Sequence, residues 1–301
     1  MSWLNYTPIY QNHMGGIGFV GTAGQALDLL AEVASRFVVN GICPIDSQNR
    51  DFRGIRFYDA PFQLSADCDI IFISLESDER AVEAIFGEQG MIHTIHSGSV
   101  IINTYPNSVR LSQDLFTKLS QSGINYLDCA IFGSFKGRET GPNAVISGLR
   151  EPYSAVESLF KSIFKKVTFL GLPGSATRLS LSARMIEAIS TVALSEALTV
   201  CMRSGIPKES ALEVLVHYIN IAEFTESTGR KISDEKFAPE VRLRDFLTDI
   251  YKIEEFVRFS QSSAPLFMTS KALYESASAI GLSNLDYTAV FRVSKRIGGF
   301  L

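Results

Sequence analysis

A turn that contains two glycines lies near the amino end of the chain and could hold a nucleotide phosphate. It follows the apolar run 17–20, precedes a helical pattern, and consists of Gly21, Thr22, Ala23 and Gly24. Such strand–turn–helix units let backbone N–H groups and a helix N-terminus approach a pyrophosphate. Ala23 places a methyl group where the fingerprint has its second glycine, and Gly24 compensates if the turn is one residue shorter. A tight turn that binds nothing is the alternative interpretation.

An acidic residue follows at the distance that a dinucleotide site requires. Asp46 lies 20 residues after Ala26, at the end of the next extended run, where a carboxylate can bind the adenosine ribose. This carboxylate favours NAD because it would repel the 2′-phosphate of NADP. Ser47, with Gln48 and Arg50, could instead form a phosphate pocket. We therefore predict NAD(P)H as the cofactor and leave NAD and NADP open.

Further candidate residues stand at the ends of later predicted strands. Ligands of parallel sheets bind outside the carboxyl ends of the strands. On this basis the predicted cofactor contacts also include Ser74, Leu75 and Asn103. A mostly apolar substrate pocket is predicted from Tyr105, Ile131 and Phe132. The aromatic residues Tyr105 and Phe132 have a plainer interpretation as core side chains.

The elements that must position these residues alternate between strand-like runs and helical patterns. This alternation predicts an α/β fold with a Rossmann-type doubly wound parallel sheet over residues 1–172, of which 1–16 form an extension. The predicted second domain, 173–301, is all-α, with helices over 208–218, 241–260, 265–280 and 285–296 and a loop over 229–239. The two domains are joined by a long helix.

This long helix is predicted over 175–204, between Gly174 and Gly205. Its charged side chains are few: Arg178, Arg184, Glu187, Glu196 and Arg203. A helix so long and so apolar must be covered on several sides. It is either a core helix of one large domain or a helix that joins two domains and buries surface against a second copy. The second interpretation predicts a homodimer.

Composition argues against several classes of protein. The net charge is −4 and the sequence has no basic run, so nucleic-acid binding is not expected. The uninterrupted apolar runs are too short for a bilayer, so no membrane span is predicted. Four scattered cysteines indicate free thiols in a reducing compartment, the cytoplasm. Four histidines without ligand spacing predict no metal site.

The order of segments resembles the β-hydroxyacid dehydrogenase superfamily, which includes 3-hydroxyisobutyrate dehydrogenases, 6-phosphogluconate dehydrogenase and the imine reductases. The resemblance runs from about Ile17 to Arg296. It is carried by the segments 18–21, 66–71, 127–131 and 146–148, and by Gly133, Gly137, Gly141, Gly174 and Asp249. The resemblance implies a Rossmann-type domain, a helical domain, NAD(P) and an active cleft between the domains.

The chain departs from this family at its polar site positions. The family's acid/base lysine and its substrate asparagine align with Ser180 and Arg184, and the serine of its substrate turn aligns with Phe132. Its serine-threonine pair falls on Tyr105 and Pro106, and a second lysine on Thr248. A serine hydroxyl does not replace an ammonium as proton donor at neutral pH without help. Oxidation of 2- or 3-hydroxyacids is therefore not expected.

The resemblance to imine reductases accounts better for these departures. Their proton donor aligns with Ser180, and Tyr105 is the best alternative acid. Arg184 and Glu187, one turn further along, could bind a carboxylate or orient water. We add Asp249 to the predicted catalytic set, which is then Ser180, Tyr105, Arg184 and Asp249.

Two hypotheses for the function follow. The first is an NAD(P)H-dependent reductase of a C=N or C=O bond in a mostly apolar small molecule. The second is a dimeric member of the fold that has lost its acid/base lysine and binds only a nucleotide or metabolite. The second fits plainer interpretations in which Ser180 permits close helix packing, Arg184 and Glu187 form a surface ion pair, and Asp249 is a solvated helix residue.

Overall fold

A computed structural model describes residues 16–44, 54–135, 141–218, 228–259 and 261–299. Asp46, Ser47 and the extension 1–15 lie outside the described residues. The chain divides into two compact units, Met1–Arg184 and Met185–Leu301.

The first unit is built on one sheet of eight strands in the order β3-β2-β1-β4-β5-β6-β7-β8. The strands are β1 Gly16–Val20, β2 Val39–Cys43, β3 Arg56–Phe57, β4 Cys68–Ile73, β5 Val100–Asn103, β6 Asn125–Phe132, β7 Asn143–Gly148 and β8 Lys166–Phe169. All neighbouring strands pair in parallel except β6 and β7, which are antiparallel. The strand order reverses between β1 and β4, which is where sheets of this kind bind their ligands.

Helices cover both faces of the sheet, because both faces of its central strands are apolar. They are α1 Ala26–Ala34, α2 Pro61–Ser65, α3 Asp78–Phe86, α4 Val109–Gln121 and α5 Arg150–Ile163. Phe19 and Val20 show the alternation: Phe19 packs in the cluster with α1 and α5, and Val20 in the cluster with α2, α3 and α4. The Phe19 and Phe72 rings stack at 4.8 Å. The predicted α/β fold class is thus confirmed, with one antiparallel pair added.

The longest helix is α6, Ser175–Arg203, with 29 residues. It begins after Gly174 and ends before Gly205, both of which adopt positive φ. By length and composition alone, α6 is apolar enough to cross a membrane, which the uninterrupted apolar runs did not indicate. Core helices of soluble proteins also meet that criterion. Arg184 and Glu187 lie near its middle, and charged groups at a bilayer centre are costly, so the sequence of α6 favours cover by protein.

The second unit is helical in its described part. Its helices include α7 Lys208–Tyr218, α8 Leu243–Phe259, α9 Pro265–Ala277 and α10 Phe291–Ile297. The predicted loop over 229–239 is wrong in its first half, because residues 228–233 are helical and the Asp234 N–H donates to the Arg230 carbonyl at 3.0 Å. The last predicted helix is in two parts, a 3-10 turn over Tyr287–Val290 followed by α10.

Candidate functional site

The glycine turn between β1 and α1 is held by hydrogen bonds to the residue that follows β4. Gly21 has φ +81°, and a methyl group placed on it would lie 2.3 Å from the Ser74 carbonyl oxygen. The Ser74 hydroxyl donates to the Ala23 carbonyl at 2.7 Å, and the Ala23 N–H donates to the Ser74 carbonyl at 3.1 Å. Only glycine fits at position 21, and Ser74 supports the turn rather than facing solvent.

The methyl group of Ala23 does not project from the turn. Ala23 is 7% exposed, whereas Gly24 is exposed and has φ +60°. A methyl group on Gly24 would lie 3.5 Å from the Tyr105 ring. Gly24 therefore lies at the outer surface of the turn, as the interpretation in which Gly24 compensates for Ala23 requires.

This turn fits the pyrophosphate of a dinucleotide. Among the described residues, the backbone N–H groups of Thr22, Gly24 and Gln25 have no hydrogen-bond acceptor. They stand immediately before α1, whose first residue is Ala26, so the positive end of the helix dipole adds to them. When bound, NAD(P)H would place its phosphates here.

A pocket of about 80 Å³ opens beside the turn, at the carboxyl ends of the strands and wholly within the first unit. It brings together six of the predicted site residues: Gly24, Asn103, Tyr105, Ile131, Ser180 and Arg184. Gly21, Ala23, Ser74 and Leu75 instead form the buried base of the turn. Phe132 is not among the lining residues, and Glu187 and Asp249 belong to the second unit. Their roles remain predictions.

The polar side chains in the pocket differ in their hydrogen bonding and in their exposure. Asn103 is buried, donates to Asn107 Oδ1 at 3.1 Å and accepts from the Tyr105 N–H at 3.3 Å, so it shapes the loop that carries Tyr105. Ser180 is half-buried, and Arg184 is exposed. No ion pair of Arg184 is found within the described part of the first unit, and its pairing with Glu187 stays an alternative interpretation. No described lining residue is a lysine.

Asp128, at the pocket floor, is a structural residue that the sequence did not identify as such. Its carboxylate accepts from Ser112, Tyr126 and Thr177, from the Gly174 N–H, and at 3.4 Å from Ser147. It is 2% exposed. Burial, together with the nearby Asp128 charge, raises the pKa of Tyr126 well above its usual value. Tyr126 is therefore not available to exchange a proton with a substrate near neutral pH.

Two further lining residues, Gln25 and Thr177, were also not predicted. Gln25 directly follows the glycine turn, and Thr177 lies one turn before Ser180 on α6. Their adjacency to predicted residues was the only available signal. Among the described residues, no group of three or more His, Cys, Asp or Glu side chains could hold a metal ion.

Two family models, one for each part of the sequence, together match almost the whole chain. The profile described as the NAD binding domain of 6-phosphogluconate dehydrogenase covers residues 17–171. The profile described as NAD-binding of NADP-dependent 3-hydroxyisobutyrate dehydrogenase covers residues 174–294.

Individual relatives are distant. Cytokine-like nuclear factor N-PAC of Aedes aegypti is 24% identical over 79% of this chain and 43% of its own length. The chain thus spans less than half of the first curated relatives it matches. The 2-hydroxy-3-oxopropionate reductase of Escherichia coli (strain K12) is 23% identical over 91% of this chain and 94% of its own.

The fold is shared with a solved imine reductase. The enzyme from Myxococcus stipitatus, in complex with NADP+, superposes with a TM-score of 0.80 at 13% identity over 92% of this chain and 99% of its own. The superfamily predicted from the sequence is confirmed, and so is its cofactor class, NAD(P). The chain belongs to the NAD(P)-dependent dehydrogenase and reductase family whose NAD-binding domain is that of 6-phosphogluconate dehydrogenase.

Proposed function

We propose that the protein is an NAD(P)H-dependent reductase of a C=N or C=O bond in a mostly apolar small molecule. The observation that carries this proposal is the pocket that sets Tyr105, Ser180 and Arg184 beside Gly24 of the phosphate turn. A substrate there would lie where the strand ends and the turn converge. The shared fold of the imine reductase supports the C=N alternative.

When bound, NAD(P)H supplies the hydride, and the chain must supply position and a proton. The Tyr105 and Ser180 hydroxyls are the two candidate proton donors in the pocket. A weak acid can protonate an imine nitrogen, which is more basic than a ketone oxygen, and an iminium needs no proton at all. Hydride addition to C=N therefore requires less of the acid than hydride addition to C=O. The Arg184 guanidinium lines the pocket and can bind a substrate carboxylate or orient a water molecule.

The absence of lysine from the described pocket lining disfavours hydroxyacid oxidation. It also favours a second candidate, a member of the fold that binds nucleotide or metabolite without turnover. In that case Ser180 only allows close packing and Tyr105 only covers the turn. A non-catalytic member that binds nucleotide would also bind the cofactor, so turnover separates the two candidates.

We also propose that the protein is a cytoplasmic homodimer. The support is the surface of α6, where large apolar side chains stay exposed in a single copy. Met185 is 59% exposed and Ile186 57%. Burying each such side chain contributes about 1.5–3 kcal/mol to the free energy of association. Dimerisation that covers them is therefore favourable. A monomeric mass at micromolar concentration would contradict the dimer.

The test is a titration with NADH and NADPH, followed by a turnover screen. Cyclic imines, ketones with added amine, and semialdehydes are offered with each cofactor. The reductase proposal expects saturable binding and cofactor oxidation with at least one class. Binding without turnover of any class would favour the non-catalytic alternative, and no binding of either cofactor would refute the reductase.

A further inference from the structure

Gln25 connects the phosphate turn to the loop that follows β6. It is the residue before α1, and its Nε2 donates to the Gly133 carbonyl at 2.9 Å. Gly133 directly follows β6 and adopts φ +91°, so its carbonyl marks the start of the loop after that strand. This side chain therefore joins the turn after β1 to the loop after β6, at the carboxyl end of the sheet.

The other end of this amide has no partner among the described residues. Gln25 Oε1 is buried, and no described residue donates to it. Rotating the amide by 180° does not solve this, because Oε1 would then face the Gly133 carbonyl and the existing hydrogen bond would be lost. A buried acceptor without a donor costs free energy, so this oxygen is a candidate for a donor supplied by a ligand.

The direction of the cofactor indicates which part of it lies there. With phosphates at the turn, the adenosine half extends towards β2, where an acid binds the ribose in this fold, and the nicotinamide half towards β4 and β5. Gln25 lines the pocket on that second side, together with Tyr105 and Ser180. The nicotinamide half carries donors of two kinds, carboxamide N–H and ribose O–H groups.

We propose that Gln25 is a positioning residue for the nicotinamide half of the cofactor. Its Nε2 holds the loop at Gly133, and its Oε1 accepts a hydrogen bond from a carboxamide N–H or a ribose O–H. This inference rests on the cofactor binding of the proposed function. It ties the placement of the nicotinamide half to the loop that follows β6.

The test measures binding rather than turnover. We titrate three ligands into wild type and Gln25→Met: NADH, its 3-acetylpyridine analogue and ADP. The analogue lacks the carboxamide N–H, and ADP lacks the whole nicotinamide half. We expect Gln25→Met to weaken NADH about tenfold, as loss of one good hydrogen bond would, and to leave ADP within about twofold. Loss for NADH but not for the analogue identifies the carboxamide, and equal loss for both identifies a ribose hydroxyl.

Two controls accompany this variant. Gln121→Met changes an exposed glutamine of α4 and should bind all three ligands as wild type does. Gln25→Glu keeps an acceptor but removes the donor to Gly133, so it should retain more of the wild-type preference for NADH over ADP than Gln25→Met. It also serves if Gln25→Met does not fold, which thermal unfolding reports.

The outcomes separate this proposal from the one on which it rests. Equal changes for NADH and ADP, or no change for either, would overturn the role of Gln25 while leaving cofactor binding intact. Wild-type protein that binds neither NADH nor NADPH would overturn both.

Discussion

The buried carboxylate of Asp128 accepts a 3.0 Å hydrogen bond from the N–H of Gly174, the residue before α6. Thr177, in the first turn of that helix, donates to the same carboxylate at 3.1 Å. A negative charge at a helix N-terminus is stabilised by the free N–H groups and by the helix dipole. Asp128 thereby ties the middle of β6 to the helix that carries Ser180 and Arg184.

We expect Asp128→Asn to lower the free energy of unfolding by about 2–4 kcal/mol. The asparagine NH2 group would face the Gly174 N–H or the surrounding hydroxyls, and buried donors would lose their acceptor. Urea unfolding measures the loss. Asp114→Asn is the matched control, because Asp114 lies on the surface of α4, 3.9 Å from Arg110, and should change stability by under about 0.5 kcal/mol. Equal effects of the two variants would contradict the anchoring role.

The glycine turn allows a prediction that separates backbone strain at positive φ from a steric clash of the added methyl group. Gly21→Ala should abolish NADH binding and destabilise the fold, because its methyl group meets the Ser74 carbonyl at 2.3 Å. Gly98→Ala is the control: its φ is +89° but nothing lies within 4 Å. It should cost only about 1–2 kcal/mol of backbone strain and leave NADH binding unchanged. Titration and thermal unfolding of both variants check this, and a Gly21→Ala protein that binds NADH normally would refute the role of the turn.

The fold was largely predictable because its signals are local. Apolar runs of strand length alternate with helical patterns, and glycines and prolines mark the limits of α6. The helix over 228–233 was missed because its polar sequence gives no apolar periodicity. The antiparallel pairing of β6 with β7 depends on contacts between strands. The sequence of neither strand indicates its direction relative to the other.

The site was less predictable because its contacts are distant in sequence. Tyr105, Ser180 and Arg184 could be placed together from the resemblance. The link from Gln25 to Gly133 joins residues 108 apart, and the link from Asp128 to Gly174 joins residues 46 apart. Sequence spacing carries no information on such pairs, so neither link was predicted.

In the second unit we expect stability to depend on the ionisation of Asp286. Burial opposes its charge, but hydrogen bonds from Thr288, Lys231 and the Glu240 N–H outweigh burial and lower its pKa from 3.8 to about 2. Because the folded pKa is depressed, the contribution is complete above about pH 4 and is lost as pH falls towards 2. The shift corresponds to about 2 kcal/mol.

Unfolding of wild type and Asp286→Asn between pH 2 and 7 tests this expectation. The variant should be less stable near neutral pH, and the difference should shrink below about pH 4. Asp234→Asn, which removes an exposed pair with Lys236, should follow wild type throughout. A constant difference between Asp286→Asn and wild type across this range would refute the electrostatic account.

The last prediction concerns the proton donor of the proposed reductase. Tyr105→Phe removes the hydroxyl but keeps the ring against Gly24, so cofactor affinity should stay within about twofold while kcat falls about 10²-fold. Tyr153→Phe is the control, since that hydroxyl bonds Glu157 on α5 outside the pocket, and kcat should not change. Steady-state kinetics with the best substrate of the screen measures both. If Tyr105→Phe keeps full kcat and Ser180→Ala loses it, Ser180 is the donor. If both variants keep it, the substrate arrives as an iminium that needs no proton from the protein.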